Sequence, residues 1–320
     1  MTPVAVEGRV AVVVLNWESG ELGARAVGSA LALDWPDVEV VVVDNASADD
    51  SMGEIERRFG DRVRAVRNEA NVGFARGMAA GFEATSGEFV VSLNCDAALD
   101  PGFARALVGA LRRHPDAAAA GGRVRSERIG DTGPIEITAT MRTRRGPTAA
   151  ARACDKVDGA CTMFRRSALE HLVQVGVRDR LAPYDVGYAM YGEDVDVALT
   201  LARLGWTYRF EPSAGATHVR SFASAPRLAD RRGALRTSTL ANRHRNIVRH
   251  ARRWPVLDVV ATAQDAGFAA LALARGDRSA PLDVVRAWRV HARTLRADLA
   301  RRSALGPRRA ALLTTGGPWV

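Results

Sequence analysis

Five side chains in this sequence could do chemistry together: Asp44, Asp96, Glu193, Asp194 and His218. Asp96 lies just past the apolar run Phe89-Val90-Val91 in "GEFVVSLNCDAALDP". Asn94 stands two residues before it, where a second acid could have chelated a metal. Glu193 and Asp194 open the stretch "EDVDVALTLARLG", in which Val195, Leu199 and Ala202 share one helical face and Gly205 ends the helix. His218 comes near the end of "AGATHV". Carboxylates and an imidazole can exchange a proton with a substrate or hold a divalent cation. Taken singly, each has a plainer explanation. An acid at a helix start complements the helix dipole, and a lone histidine is more often a satisfied structural side chain. The set gains meaning only from the elements that bring it together.

Those elements alternate over the first 120 residues. Continuous β-branched runs at 9–17 and 38–47 predict strands covered on both faces. Further strands are expected at 62–68 and 88–94, and helices at 21–35, 49–60, 74–87 and from 103 on. Asp49 or Asp50 is the expected N-cap of the second helix and Gly60 its end. Alternating strands and helices specify an α/β protein with a parallel, doubly wound sheet, whose ligands sit beyond the carboxyl ends of the strands. Polar residues collect at that edge. The first strand delivers Asn16, the second Asp44 and Asn45, and the fourth Asn94 and Asp96. The third leads to "NEANVGFARG", with Asn71 and Gly73. From 123 to 157 periodicity dissolves, which predicts a loop or loosely ordered insertion serving as a lid or facing an acceptor. A strand leading into a helix follows at 157–169, then two short strands at 206–210 and 214–219, then about 95 mostly helical residues.

The length, 320 residues, suits one α/β domain with an appendage, and 47% hydrophobic with 25% charged residues is the balance of an ordinary soluble protein. The net charge of +9 suits an anionic partner: nucleic acid, an acidic membrane surface or a phosphorylated substrate. A bias to arginine, with Lys156 the only lysine, is an equally simple source of that charge. Cys95, Cys154 and Cys161 fit neither a disulfide framework nor a zinc spacing, which points to a reducing compartment. No secretory signal is evident at the N-terminus. The apolar stretch Val256 to Ala274 is interrupted by Asp258, Gln264 and Asp265, so no spanning helix is expected. Residues 282–302 form a basic amphipathic pattern, with Val285, Trp288, Ala292, Leu295 and Leu299 beside Arg286, Arg289, Arg293 and Arg296. Such a helix either packs on the α/β domain with a solvated arginine edge or lies on an anionic membrane surface.

The stretches "VVVLNW", "VVVDNASADDS", "NEANVGFARG", "SLNCDAALDP", "DGACTMFRRSAL", "YGEDVDVALTLARLGW" and "HVRS" occur in this order between about 9 and 221. In that order the chain resembles glycosyltransferase family 2, in particular its bacterial rhamnosyltransferase-like branch, and "ANRHRNIVRH" is similar to the basic segment that often follows. The resemblance implies a GT-A fold, a mostly parallel Rossmann-like sheet flanked by helices, with a C-terminal helical extension. It divides the chain into a nucleotide-sugar-binding half (1–122), a metal and acceptor half (123–225) and the extension (226–320). It implies an inverting transfer from a nucleotide-diphosphate sugar to an acceptor hydroxyl, with Asp194 as general base supported by Glu193. Asp96 and His218 would hold Mn²⁺ or Mg²⁺. Asn16, Asp44, Asn45, Asn71, Gly73, Arg76, Asn94 and Asp96 would bind the donor, and Asp158 and Gly159 would face the acceptor. UDP or dTDP sugars come ahead of GDP sugars, a deoxysugar such as rhamnose among them. The acceptor is a glycan, a lipid-linked molecule or a small molecule. The implied location is the cytoplasm, extending to the inner face of the cell membrane; a homodimer stays open, and no nucleic acid is expected.

Two departures stand out: "GFARGMAAG" for the usual "GFAGGNN" brings Arg76, which either contacts the diphosphate or is solvated, and "VGVRDRLAPYDVGYAMYGED" for the usual "GGFDE" points to an unusual acceptor. Two other readings stand beside this one. A nucleotidyltransferase of related sheet architecture would want a basic Gly-rich loop after the first strand, where "NWESGELGA" has no Lys or Arg before Arg25. A non-catalytic, basic nucleic-acid-binding protein leaves the spacing of Asp96, Asp194 and His218 unaccounted for.

Overall fold

The computed structural model describes residues 3–188, 190–219 and 232–305. Strands β1 (Val6–Asn16), β2 (Val38–Asp44), β3 (Arg64–Arg67) and β4 (Gly87–Asn94) alternate with helices α1 (Glu21–Leu31), α2 (Ser51–Phe59) and α3 (Phe74–Glu83). The four strands are parallel, in the order β3-β2-β1-β4. Val10 to Val14 and Val40 to Val43 are buried on both faces of this sheet, which is why those runs do not alternate. One face packs Val13, Val41 and Phe164 against Phe82 and Met78 of α3; the other packs Val12 and Val42 against Val27 of α1 and Ile55 of α2. Gly81 lets α3 close on the sheet, because a Cβ there would stand 2.2 Å from a Val13 methyl.

The second half is mixed. It comprises β5 (Ala97–Leu99), α4 (Phe103–Arg113), β6 (Ala117–Arg125), β7 (Ile135–Ile137), β8 (Thr143–Arg145), β9 (Arg152–Cys154), β10 (Cys161–Arg165), α5 (Arg166–Gln174), α6 (Glu193–Arg203) and β11 (Thr207–His218). The sheet continues β4-β10-β6-β11-β5, with β9 also on β11. β10 is antiparallel to both β4 and β6, whereas β11 is parallel to β6. No crossover helix precedes β10; the chain arrives from β9, so the rule that yields parallel neighbours does not apply there. The stretch 123–157, expected as a loop, holds the β7–β8 hairpin and the edge strand β9. The two short strands expected at 206–219 are one strand, with a register shift between Phe210 and Gly215.

The described C-terminal residues form α7 (Arg232–His250), α8 (Trp254–Ala274) and α9 (Ala280–Ala304). α8 runs unbroken through Asp258, Gln264 and Asp265; among the described residues it alone has the length and apolarity of a membrane span. α9 does not bury the expected stripe. Ala280, Asp283, Val284, Ala287 and Asp298 are its buried residues and Val285 is exposed, because both acids find arginine partners on α7. The division expected after residue 122 falls inside β6. The division at 225/226, and Arg220 and Ser221 of "HVRS", lie outside the described residues.

Candidate active site

The first wall of the site is built where β1 and β2 end. Asn16 and Asp44 are register partners, and both are buried. The Asn16 amide nitrogen donates to Asp44 Oδ1 at 3.1 Å and to Ser51 Oγ at 3.0 Å, while its oxygen accepts from Ser19. Ser47 Oγ donates to Asp44 Oδ1 at 2.6 Å. Asn45 ties in the next loop. Its amide nitrogen donates to Asn71 Oδ1 at 3.0 Å, and its oxygen accepts from Val72 N at 3.1 Å. Asn71 Oδ1 also accepts from Gly73 N, and Gly73, at φ +83°, turns the chain into α3 in a conformation that favours glycine. Arg76 in the first turn of α3 is exposed and makes no hydrogen bond or ion pair among the described residues. It is a free cation near the strand ends.

The second wall follows β4. β5 pairs antiparallel with β11, His218 opposite Ala97, and Val219 N donates to the Asp96 carbonyl at 3.0 Å. This pairing brings residues 122 positions apart to one point: His218 Nε2 lies 2.9 Å from Asp96 Oδ1, both side chains buried. His218 Nδ1 and Asn94 Oδ1 are buried with no hydrogen-bond partner among the described residues. Buried polar atoms rarely stay unpaired, so this corner has bonding capacity that the described residues do not fill.

The third wall is the 156–160 turn and the start of α6. Asn94 N donates to the Ala160 carbonyl at 2.9 Å, which joins this turn to the end of β4. Asp158 is buried; Oδ2 accepts from Thr132 at 2.5 Å and Oδ1 from Ala160 N at 3.0 Å, so its carboxylate shapes the turn. Gly159 sits against Asp194: a Cβ there would lie 3.2 Å from Asp194 Oδ2. That oxygen is 2.7 Å from Lys156 Nζ, and the Asp194 side chain is 30% exposed, accessible to a substrate. Glu193 is buried beside it, and one of its carboxylate oxygens has no partner among the described residues. Burial, reinforced by the neighbouring Asp194 charge, raises the Glu193 carboxyl to about 8. Two adjacent acids are therefore set apart: Glu193 is protonated at neutral pH, and Asp194 is paired with a cation. A cavity of about 10 Å³ lies between Lys156, Tyr184, Asp194 and Tyr208, and the Tyr208 hydroxyl is buried without a partner there.

Sequence reasoning missed what holds this wall. Tyr191 and Gly192 both have left-handed backbones just before Glu193, a strained approach for Tyr191. Asn242 and Asn246 of α7 clamp it. Asn242 donates to the Tyr191 carbonyl at 2.6 Å and Asn246 to the Gly192 carbonyl at 2.9 Å. The RN-rich segment thus acts through the start of α6. Replacing Asn246 with alanine is expected to lower kcat about tenfold with KM for the donor little changed, as a small misplacement of Asp194 would. Steady-state kinetics check this, and an unchanged kcat would remove Asn246 from the positioning role.

Lys156 was also missed as a site residue, although as the only lysine it was visible. On the buried side of α6, Asp196 is 1% exposed and bonds Arg178 at 2.7 Å, His250 at 2.9 Å and Arg249 at 3.2 Å. A second His/Asp group, His244, Asp258 and His291, has ligand atoms within 4.8 Å of one another and belongs to α7, α8 and α9.

Comparison with known proteins bears on the family and the fold. The family described as Glycosyl transferase family 2 matches residues 11–173. The chain is 28% identical over 279 residues to the N-acetylglucosaminyl-diphospho-decaprenol L-rhamnosyltransferase of Mycobacterium tuberculosis, covering 76% of this chain and 87% of that protein. It is 24% identical over 217 residues to the poly-beta-1,6-N-acetyl-D-glucosamine synthase of Staphylococcus epidermidis, covering 65% of this chain. The match spans about half, 49%, of that synthase's length. Among solved structures, the mannosyltransferase PcManGT of Pyrobaculum calidifontis, in complex with GDP-Man and Mn²⁺, superposes with a TM-score of 0.55 at 18% identity, covering 93% of this chain and 84% of that one. GalNAc-T7, with UDP, GalNAc and Mn²⁺, superposes with a TM-score of 0.54 at 16% identity, covering 66% of this chain and 43% of that one. At such identities the likeness is one of fold, and the fold is GT-A.

Proposed function

The chain belongs to glycosyltransferase family 2, and from that premise we propose that it moves a sugar from a nucleotide-diphosphate sugar to an acceptor hydroxyl with inversion at the anomeric carbon. The observation that carries this reading is the stitching of three walls at one sheet edge. The Asn94–Ala160 bond links the Asp96–His218 corner to the turn whose Gly159 abuts Asp194. Asp44, Asn16, Asn45, Asn71 and Gly73 form the nucleoside side, with Arg76 free to meet the diphosphate. Asp194 takes the acceptor proton. Lys156 orients that carboxylate, and each carboxylate oxygen keeps a lone-pair direction for the incoming hydroxyl. Glu193, neutral at pH 7, supports it without adding a second charge. Asp158 and Gly159 form the acceptor side.

One carboxylate oxygen, one imidazole and an unfilled amide oxygen suit a hard divalent cation, Mn²⁺ somewhat ahead of Mg²⁺. Asp96 and His218 would hold it, and when bound it neutralises charge building on the departing diphosphate. The solved neighbours carry Mn²⁺, which supports this choice. The name of the rhamnosyltransferase relative supports a deoxysugar and a lipid-linked diphosphate acceptor; a UDP or dTDP donor and access from the inner face of the membrane belong to the same proposal.

A thermal-shift screen of nucleotide diphosphates and nucleotide sugars, with and without Mn²⁺, tests the reading. The wild-type chain is expected to gain several degrees with one base plus Mn²⁺ and little with Mn²⁺ alone, because a single carboxylate and a single imidazole are a weak site until donor phosphates complete it. Asp96→Ala should lose the Mn²⁺-dependent part of the shift and most transfer activity. Tight Mn²⁺ binding by the donor-free chain, or full activity of Asp96→Ala, would overturn it.

A further inference from the structure

Helix α8 is built inside out for a helix at a water-exposed surface. Its acidic side chains point inward. Asp258 bonds His244 at 2.6 Å and His291 at 3.1 Å, and Asp265 bonds Arg243 at 2.5 Å and His244 at 2.9 Å. Its outer face, along Val256, Val259, Val260, Ala263, Gly267, Ala270, Leu271 and Ala274, recurs every three or four residues and is exposed. Val259 is 69% exposed and Leu271 52%. Between Val259 and Ala274 the exposed positions include one polar residue, Gln264, and no charge. Leu282, Val285 and Val290 of α9 are exposed as well. A helix facing water shows the reverse polarity, and a contiguous exposed apolar face marks an interaction surface.

Charge identifies the partner. All five acids between 252 and 302 are bonded to Arg or His within the helical extension: Asp258, Asp265, Asp277, Asp283 and Asp298. The arginines stay outside. Arg252 and Arg253 lie before α8, Arg275 and Arg278 after it, and Arg286, Arg289 and Arg293 on α9, all exposed. We propose that the outer face of α8, rimmed by these arginines, docks on an anionic lipid bilayer and lies in its interface. Crossing the bilayer would strip Asp258 and Asp265 from their α7 partners, so α8 lies on the surface although it has the length to span. A second copy is the poorer occupant, because a two-fold interface would set arginine rim against arginine rim. The inference rests on the proposed transfer to a lipid-linked acceptor only for its purpose: it places the site where such an acceptor is found.

Flotation of the full chain with vesicles tests it in the absence of donor, so its outcome is independent of catalysis. Binding is expected to vesicles containing phosphatidylglycerol and to be much weaker with phosphatidylcholine alone, falling as salt rises. Val259→Glu combined with Leu271→Glu should lower partitioning roughly a hundredfold, while the thermal midpoint and transfer to a water-soluble acceptor stay unchanged. Arg275→Glu with Arg278→Glu should abolish the preference for anionic vesicles. The proposal is overturned by absence of vesicle binding, by binding that the apolar-to-Glu pair leaves intact, or by a dimer in light scattering that this pair dissolves while no vesicle is bound. Vesicle binding without sugar transfer would count against the proposed function alone.

Discussion

Asp194→Asn lowers kcat by about 10²–10⁴-fold, the range that general-base catalysis supplies, while Glu193→Gln at pH 7 leaves kcat within a few-fold of wild type. The two residues are adjacent at the start of one helix, so a purely electrostatic or structural role would tie their fates together. Their surroundings separate them. Asp194 is accessible and lies against the Lys156 ammonium, placed to accept a proton from a substrate. Glu193 is buried, with its carboxyl raised to about 8, so near neutrality it already has the charge of glutamine. The asymmetry is read from initial rates with donor saturating. Equal losses in both variants, or none in Asp194→Asn, would remove Asp194 from the role of base. The donor KM, which neither change should move far, separates a folding defect from a catalytic one.

The same raised carboxyl sets a pH dependence whose sign is fixed. The Glu193 carboxyl is raised from the model-peptide value of 4.5 to about 8 in the folded chain. Between these values the folded chain binds a proton that the unfolded chain has released. The contribution of Glu193 to stability is therefore complete below 4.5 and is lost as pH rises to about 8, with a slope of at most about 1.4 kcal/mol per pH unit. Above 8 the slope from this group vanishes, and a second negative charge beside Asp194 perturbs the base. Glu193→Gln should remove both the stability slope and the inflection in kcat near pH 8. Urea midpoints and pH–rate profiles of the two proteins side by side measure it.

What could be read in advance followed from local signals. The valine runs of β1 and β2 have to be doubly covered strands, and the acids and asparagines at their ends have to share one edge. The Asp96–His218 contact was legible only through motif order, because it depends on β5 pairing with β11 across 122 residues. The inverted β10 was not legible, since strand direction depends on the connection that precedes it. The three-residue strands β7, β8 and β9 are too short to show a period. Asp258 and Asp265 read as breaks in an apolar run because their partners His244 and Arg243 lie on another helix. Lys156 read as a composition accident; its meaning comes from Asp194, which lies 38 positions on in the chain and 2.7 Å away in space.

Asp196 shows the same blindness with the largest consequence for stability. By sequence it is one more acid in the first turn of α6. In the fold it is the buried centre of a cationic cluster, bonded to Arg178, Arg249 and His250, and Arg249 continues to Asp185 at 2.9 Å and Asp298 at 2.7 Å. Arg245 and Arg249 lie over the Tyr188 ring, with guanidinium carbons 4.3 and 5.0 Å from its centroid. Burial pushes the Asp196 carboxyl up, but Arg249 and Arg178 outweigh it and hold the group well below the usual carboxylate range. Its stabilisation is therefore present at neutral pH and is lost only as pH falls through that depressed value. Asp196→Ala strands Arg178 and Arg249 without their shared counter-charge, at a cost of about 3–5 kcal/mol. The exposed pair Arg57–Asp50, at 2.6 Å, is the control, since Arg57→Ala should leave the urea midpoint unmoved. The loss in Asp196→Ala should also reach catalysis, because the same cluster joins α6 to α7 and α9 beneath Asp194. A midpoint as little changed as in the surface control would show that the cluster is idle, and the helical extension would then be held to the catalytic domain by packing and by bonds such as those of Asn242 and Asn246.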